Sequence, residues 1–146
     1  EERGQSEAIA RNLAIMSSLK TQIIVVVTGE GGSGGALALG VGDHVAILEY
    51  GTYSVASPEA CASIVWREAD KAEDAAEAMK VGALDLKKIG IVDEIIPEPI
   101  GGAHQDFDET SANIKTSLLK NMTELSKINH EELIERRYQR LLKIGT

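Results

Sequence analysis

Five glycines lie within the seven positions 29–35, and their backbone is the strongest candidate for chemistry in this chain. Five β-branched residues, 23–27, come just before and predict a buried strand. Residues 36–39, Ala-Leu-Ala-Leu, follow and predict a helix that begins at once. The N-terminus of a helix carries unpaired N–H groups, which bind negative charge without a charged side chain. The segment therefore predicts an oxyanion-type site.

The same segment also matches the nucleophile elbow G-x-S-x-G of α/β-hydrolases, with Ser33 at its centre. A hydrolase triad would need a later acid and a histidine, and Asp93 and His104 are available for these roles. Because the segment is nearly all glycine, the match has little specificity. A serine nucleophile nevertheless stays open on local grounds.

A dinucleotide fingerprint is a second alternative, since Gly29, Gly31 and Gly34 satisfy the spacing G-x-G-x-x-G. Glu49 stands where the ribose-binding acid is expected, about 20 residues further on. Against this interpretation, Glu30 would place a negative charge beside a pyrophosphate. A nucleotide P-loop is not predicted, because no lysine follows the glycines as in G-K-[ST].

Other chemistry-bearing residues are few and scattered. His44, His104 and His130 are far apart and predict no metal site. Glu59 follows a proline at a helix start, where it stabilises the helix dipole or serves as a general acid or base. Cys61 is the one cysteine, which excludes a disulfide framework and a cysteine-based zinc site, and we expect it to be a small buried hydrophobe.

Composition favours one acidic α/β domain with an aliphatic core. The chain has 146 residues, 43% of them hydrophobic but only 3% aromatic. Its net charge of −8 is uneven: residues 1–114 carry 8 Lys/Arg and 19 Asp/Glu, and residues 115–146 carry 7 and 4. The acidic body argues against nucleic acid as the main partner. No apolar run is long enough to span a membrane, and we expect a reducing, aqueous compartment.

The helices and strands that must position the glycines are predicted from the apolar periodicity and from capping and helix-ending residues. Strands are predicted over 22–27, 45–48, 52–56 and 91–96. Helices are predicted over 5–19, 33–40, 71–80 and the last quarter of the chain. Ser57, Asp70 and Asn129 are predicted to cap the starts of helices, and Gly90 is predicted to end a short one. A single parallel strand after the opening helix would be an exposed edge, so we expect earlier strands outside this sequence.

Several long segments resemble one family, the carboxyltransferase alpha subunits of multi-subunit acetyl-CoA carboxylase. The matching segments are residues 1–10, 29–38, 53–64, 95–104 and 136–141. The resemblance runs along the whole chain and corresponds to roughly the C-terminal half of a family member. It implies an α/β fold of the crotonase-like (ClpP/crotonase) type, with repeated ββα units and C-terminal helices. Residues 1–146 would then be a single carboxyltransferase domain with a helical tail at about 109–146.

The resemblance also implies an activity. Members transfer the carboxyl group of carboxybiotin, held on a carrier protein, to acetyl-CoA and so make malonyl-CoA for fatty acid biosynthesis. It assigns the backbone N–H groups of Gly31 and Gly32 as the catalytic oxyanion hole for biotin, and Gly29, Gly34 and Gly35 as substrate-binding positions. Biotin would be the cofactor, and no metal is expected in this chain.

The implied partners are a zinc-bearing carboxyltransferase beta subunit, the biotin carboxyl carrier protein and the ATP-binding biotin carboxylase, in a cytoplasmic complex of a bacterium or in a plastid. Two alternatives stay open. A crotonase-type acyl-CoA hydratase or isomerase would need placed carboxylates, for which only Glu59 is a candidate. A non-catalytic module that docks a second subunit would need no catalyst at all.

Overall fold

The computed structural model describes residues 3–144, which form a mixed α/β structure with small parallel sheets. In chain order the helices are α1 Gln5–Ser18, α2 Ser33–Leu39, α3 Pro58–Val65, α4 Ala72–Met79, α5 Ala83–Lys88, α6 Phe107–Leu125 and α7 His130–Leu142. The strands are β1 Ile24–Val27, β2 Glu30–Gly32, β3 His44–Leu48, β4 Thr52–Ser54 and β5 Glu94–Ile96. Within residues 3–144, no helix has the length and hydropathy needed to cross a bilayer.

Two parallel sheets organise the chain. The larger has the order β1-β3-β5, with Val25 opposite Val45 and Ile47 opposite Ile95. The smaller pairs β2 with β4 and places Gly31 opposite Tyr53. Parallel neighbours need crossover connections, and α2 supplies one between β1 and β3. The glycine segment therefore lies where the chain passes from the larger sheet to the smaller one.

Strand β3 is the centre of the core, because it is covered on both faces. Val45 and Ile47 pack on one side against residues around α5, including Leu86. Ala46 and Leu48 pack on the other side, where Ile96 joins them. This alternation follows from the period of two along a strand.

Strand β1 is only half-buried along its whole length, so the prediction of a buried strand is wrong in this respect. It lies at the edge of its sheet, with β3 on one side. The β-branched run specified the strand correctly, whereas its burial depends on what pairs with the outer edge.

Helix starts agree with most of the predicted caps. The Ser57 hydroxyl accepts a bond from Ala60 N–H at 3.2 Å, and Asn129 Oδ1 accepts one from Glu132 N–H at 2.9 Å. The capping box predicted at Asp70 is wrong. A 3₁₀ turn, Ala69–Lys71, comes first there, and the residue before α4 makes no side-chain cap.

Two other predicted elements differ in extent. Residues 29–35 are not a bare turn, because Glu30–Gly32 form β2. The strand predicted over 91–96 is shorter, since Ile91 N–H bonds to the Leu86 carbonyl at 2.9 Å and so remains attached to the end of α5.

A buried arginine joins the last helix to the start of β1. Arg137 is 1% exposed, and its guanidinium contacts both carboxylate oxygens of Asp43, at 2.9 and 2.8 Å. The same guanidinium donates to the carbonyls of Met16 and Thr21, each at 2.8 Å. Asp43 also accepts the Ile23 N–H at 2.8 Å. The arginine thus bonds to carbonyls at and just after the end of α1 and fixes the position from which β1 runs to the glycines.

Candidate functional site

The glycine segment is built from the end of β1, the short strand β2 and the first turn of α2. Gly32 is the residue before α2 and has an extended backbone, φ −138° and ψ 154°. It has no side chain that could cap the helix, so the first N–H groups of α2 are not covered by a capping oxygen from Gly32. The helix predicted over 33–40 is confirmed as Ser33–Leu39, and it begins inside the glycine segment.

The predicted site glycines differ in what surrounds them. A Cβ atom added at Gly29, Gly32 or Gly35 would meet nothing within 4 Å, and one at Gly34 would be in ordinary contact with Ile9. At Gly31 a Cβ would lie 3.0 Å from Tyr53 Cδ2 and 3.2 Å from Val27 Cγ1. Three of the five positions, Gly29, Gly32 and Gly35, therefore have open space over the backbone, whereas Gly34 lies against α1 and Gly31 faces Tyr53.

The direction of the N–H groups follows from the pairing of β2 with β4. Thr52 N–H donates to the Gly29 carbonyl at 2.9 Å, whereas Tyr53 N–H turns away to the Val81 carbonyl at 3.0 Å. Successive backbone groups of an extended strand point in opposite directions, so the N–H of Gly31 points toward β4 and that of Gly32 points away from it. Gly32 is therefore the better placed of the two predicted donors, and the assignment of the pair stays a prediction.

Two pockets of about 300 Å³ each border the segment. The first is almost entirely apolar, and its walls include Ser33, Gly34, Leu37, Tyr53, Val55 and Leu141. The second lies along β1 and β2, and its walls include Val27, Gly29, Gly31, Leu39 and Tyr53. Tyr53 lines both pockets, and the apolar one could hold a small apolar ring beside the exposed backbone.

The serine-hydrolase interpretation is wrong, because its triad is not assembled. His104 is exposed, and its ring bonds the Gln105 amide at 2.9 Å. Asp93 instead accepts bonds from Val45 N–H at 2.8 Å and Arg140 Nε at 2.9 Å. The acid proposed to orient the histidine is therefore committed to holding β3 and α7 together.

The dinucleotide interpretation also fails, because a fingerprint glycine must lie in a turn between a strand and a helix. Gly31 lies instead inside β2, paired opposite Tyr53. Glu49, the predicted ribose-binding acid, accepts the Glu98 N–H at 3.2 Å and so closes the connection after β5.

The remaining candidate residues make contacts that hold the fold together and do not form a site. Hydrogen bonds from its own backbone N–H and from the Ser57 hydroxyl hold the pKa of the exposed Glu59 below its usual value, as expected at a helix start. Cys61 is half-buried, not buried as predicted, because α3 packs mainly against α4 and exposes its other face. His44 Nε2 contacts Glu94 Oε2 at 3.0 Å. Among residues 3–144, no group of three His, Cys, Asp or Glu side chains could hold a metal ion.

Tyr53 is the residue that sequence reasoning missed. Burial raises the pKa of its phenol, although the nearby Arg140 opposes the shift. Its hydroxyl donates to the Ala36 carbonyl of α2 at 3.2 Å. The available signal was the rarity of aromatic residues in this chain, which leaves Tyr53 as the one aromatic residue within a predicted strand.

Comparison with known proteins agrees with the resemblance in the sequence. A family model described as acetyl co-enzyme A carboxylase carboxyltransferase-like matches residues 1–145. Proteins named acetyl-coenzyme A carboxylase carboxyl transferase subunit alpha are 60% identical in Vibrio cholerae, 59% in Glaesserella parasuis and 57% in Pseudoalteromonas atlantica. Each match covers 99% of this chain and 46% of the relative. The chain thus spans just under half the length of these relatives.

Proposed function

We propose that this chain, which belongs to the acetyl-CoA carboxylase carboxyltransferase family, forms the biotin-facing wall of a carboxyltransferase site. The reaction is the transfer of a carboxyl group from carboxybiotin on a carrier protein to acetyl-CoA, which gives malonyl-CoA for fatty acid biosynthesis. The observation that carries the proposal is the exposed Gly32 backbone at the start of α2, where the next two residues, Ser33 and Gly34, line an apolar pocket.

The residues present fit a bound biotin ring. The open space over Gly29, Gly32 and Gly35 is space that side chains would otherwise fill. When bound, carboxybiotin would supply the carboxyl group, and its ureido oxygen is the atom that would need a hydrogen-bond donor from this chain. The Gly32 N–H, which is directed away from β4, would donate to this oxygen. The resemblance names Gly31 as a second donor, but the N–H of Gly31 points toward β4, so the proposal rests on Gly32. One donor of this kind is worth about 2.7–4 kcal/mol of transition-state stabilisation.

A backbone site explains why side-chain catalysts are scarce around the glycines. A hydratase or isomerase needs a carboxylate held against its substrate, whereas Glu59 is exposed and serves the start of α3. Bound biotin would itself supply the base for the acetyl proton, so no side chain of this chain would be needed for that role. The chain then has to bind, orient and stabilise charge, which backbone N–H groups and an apolar pocket can do.

The larger assembly is part of the proposal. We infer one domain of the crotonase type over residues 1–146, with α6 and α7 as its helical tail. A zinc-bearing beta subunit completes the cleft and binds most of the acetyl-CoA. The biotin carboxyl carrier protein and biotin carboxylase deliver the carboxyl group. The proposed compartment is the bacterial cytoplasm or a plastid.

Substitution of Gly32 by valine tests the proposal in the full-length subunit reconstituted with its beta subunit. Nothing lies within 4 Å of the new Cβ and the backbone is extended, so we expect a folded protein whose side chain blocks the oxyanion. Carboxyl transfer should fall about 100-fold or more, the loss that follows removal of one oxyanion donor. Gly31→Val is unsuitable, because its side chain would collide with Tyr53.

Gly82→Val is the matched control, since a Cβ at Gly82 also meets nothing within 4 Å and Gly82 lies outside the proposed site. It should retain near-normal turnover. Near-normal turnover of Gly32→Val would refute the oxyanion role. A wild-type complex that assembles but transfers no carboxyl group would refute the proposed function itself.

A further inference from the structure

Tyr53 spans the space between β2 and the end of α2, and two glycines leave room for it. A Cβ at Gly31 would lie 3.0 Å from ring atom Cδ2 of Tyr53. At the other end of the ring, a Cβ at Gly40 would overlap the Tyr53 hydroxyl and lie 3.3 Å from Cζ. Any side chain at either glycine would displace the ring.

The same tyrosine is attached to the elements on either side of it. Its backbone N–H donates to the Val81 carbonyl at 3.0 Å, and its hydroxyl donates to the Ala36 carbonyl at 3.2 Å. That carbonyl also accepts the Gly40 N–H at 2.8 Å, so the hydroxyl adds a second bond near the end of a short helix. The ring packs beneath β2 while its hydroxyl fixes α2, and the chain passes from β2 into α2 at Gly32.

We propose that Tyr53 is the positioning residue for the Gly31–Gly32 backbone. It holds β2 with its ring and α2 with its hydroxyl, and so sets the angle at which the Gly32 N–H meets the substrate oxygen. The inference rests on the carboxyltransferase function proposed above. Tyr53 acts through the backbone, because the oxyanion donor is an N–H group of another residue.

Tyr53→Phe tests the hydroxyl in the full-length subunit reconstituted with its beta subunit. The ring remains beneath Gly31, so the sheet should form, while α2 loses its second attachment. We expect kcat to fall about tenfold, within the roughly hundredfold that a misplacement of about 1 Å can cost. KM for acetyl-CoA and assembly with the beta subunit should stay near wild type, because the hydroxyl bonds to backbone.

Tyr138→Phe is the matched control, since Tyr138 is 56% exposed on α7. It should leave kcat unchanged. If Tyr53→Phe has the same kcat as Tyr138→Phe, the positioning role is wrong. A Tyr53→Phe protein whose kcat loss matches its loss of assembled complex would have a structural role only, which also overturns the inference.

Gly40→Ala supplies an independent test, because its methyl group occupies the place of the Tyr53 hydroxyl. In the wild-type background it should displace the ring and lower kcat. In the Tyr53→Phe background the hydroxyl is absent, and the methyl group meets only the Ala36 carbonyl at 3.0 Å and Cζ at 3.3 Å. The contact with the Ala36 carbonyl is common to both backgrounds, so the same change should still lower kcat, but much less. An equal loss in both backgrounds contradicts the inference.

The two proposals fail in different ways. If the wild-type complex assembles but transfers no carboxyl group, the proposed function is wrong, whatever the Tyr53 variants show. A wild-type complex with full turnover, combined with a silent Tyr53→Phe change, ends only the positioning role.

Discussion

Gly31 and Gly32 are neighbours of the same type, yet each lacks a side chain for a different reason. Gly31 faces the Tyr53 ring, so glycine is needed there for packing. Gly32 is exposed, so glycine is needed there only if a molecule approaches its backbone. Substitution of Gly31 should therefore lower the stability of the protein, whereas substitution of Gly32 should lower its activity.

Ser33 offers a test that separates backbone from side-chain chemistry. We expect Ser33→Ala to keep most of the carboxyl-transfer activity, because the proposed site uses the backbone of this segment and the triad partners of a serine nucleophile are engaged elsewhere. Steady-state turnover of the reconstituted complex is the measurement. Complete loss of activity in a well-folded Ser33→Ala protein would restore the hydroxyl as a catalyst.

At the residue scale, the sequence predicts what depends on near neighbours. The caps at Ser57 and Asn129 and the stop at Gly90 are local and are confirmed, and Gly90 has φ +78°. Tyr53 was not predicted, because its role arises only when β4 pairs with β2 and places the ring under Gly31. Nothing in the residues next to Tyr53 encodes that contact.

At the element scale, the Arg137–Asp43 pair connects α7 with the ends of α1 and β1. Arg137→Met should destabilise the protein by about 3–5 kcal/mol, because it leaves the Asp43 carboxylate buried without its partner. Urea denaturation of the full-length subunit measures the change. Arg136→Met is the control, since Arg136 is exposed on the same helix and should alter stability by less than about 0.5 kcal/mol.

Glu94 links β5 to β3 and α6 and predicts a pH dependence. Burial alone would raise the pKa of Glu94, but hydrogen bonds from Asn121, Ser117 and His44 outweigh it and lower the pKa below its ordinary value of 4.5. A lowered folded-state pKa stabilises the protein above the unfolded value, and this contribution is lost as the pH falls through the folded value. Glu94 lines a surface pocket together with four other titratable side chains, those of His44, Lys87, Asp93 and Lys120.

Glu94→Gln should therefore remove part of the acid sensitivity of the protein. Thermal unfolding followed from about pH 6 down to about pH 3 is the measurement. The difference in melting temperature between wild type and variant should shrink as the pH falls below about 4.5. A constant difference across that range would contradict the assignment.

The elements that sequence reasoning located well are those with a strong period or a clear cap. Helix α1 and strand β3 agree with their predicted bounds to within one residue. Strand β2 was missed, because glycine has low strand propensity and its pairing partner lies well along the chain. The burial of β1 was overestimated, since composition does not reveal whether a strand is central or at an edge.

At the scale of the whole molecule, the chain is an acidic body with a basic helical end. Apolar side chains such as Val55, Ile64 and Leu84 are more than three-quarters exposed. We expect the full-length subunit to associate with its beta subunit mainly through apolar faces, with charges at the rim setting the salt sensitivity.

Analytical ultracentrifugation of the two subunits, alone and mixed at about 1 µM, checks this association. A complex that forms at this concentration has a Kd below about 1 µM, which corresponds to more than about 8.2 kcal/mol of binding free energy. A faster-sedimenting complex should appear in the mixture. Independent sedimentation of the two subunits, with turnover undiminished, would contradict a shared active site.

The Arg137 contact also bears on the order of events during synthesis. The carbonyl of Met16 receives its guanidinium bond from a residue 121 positions further along the chain. Helix α1 and the start of β1 leave the ribosome long before that residue exists, and until then they lack the contact that fixes them. Contacts of such separation form late and slowly, and strands exposed in the meantime are prone to mispair. The nascent chain thus passes through a period in which α1 and β1 have been synthesised but the Arg137 contacts that hold them in place have not formed.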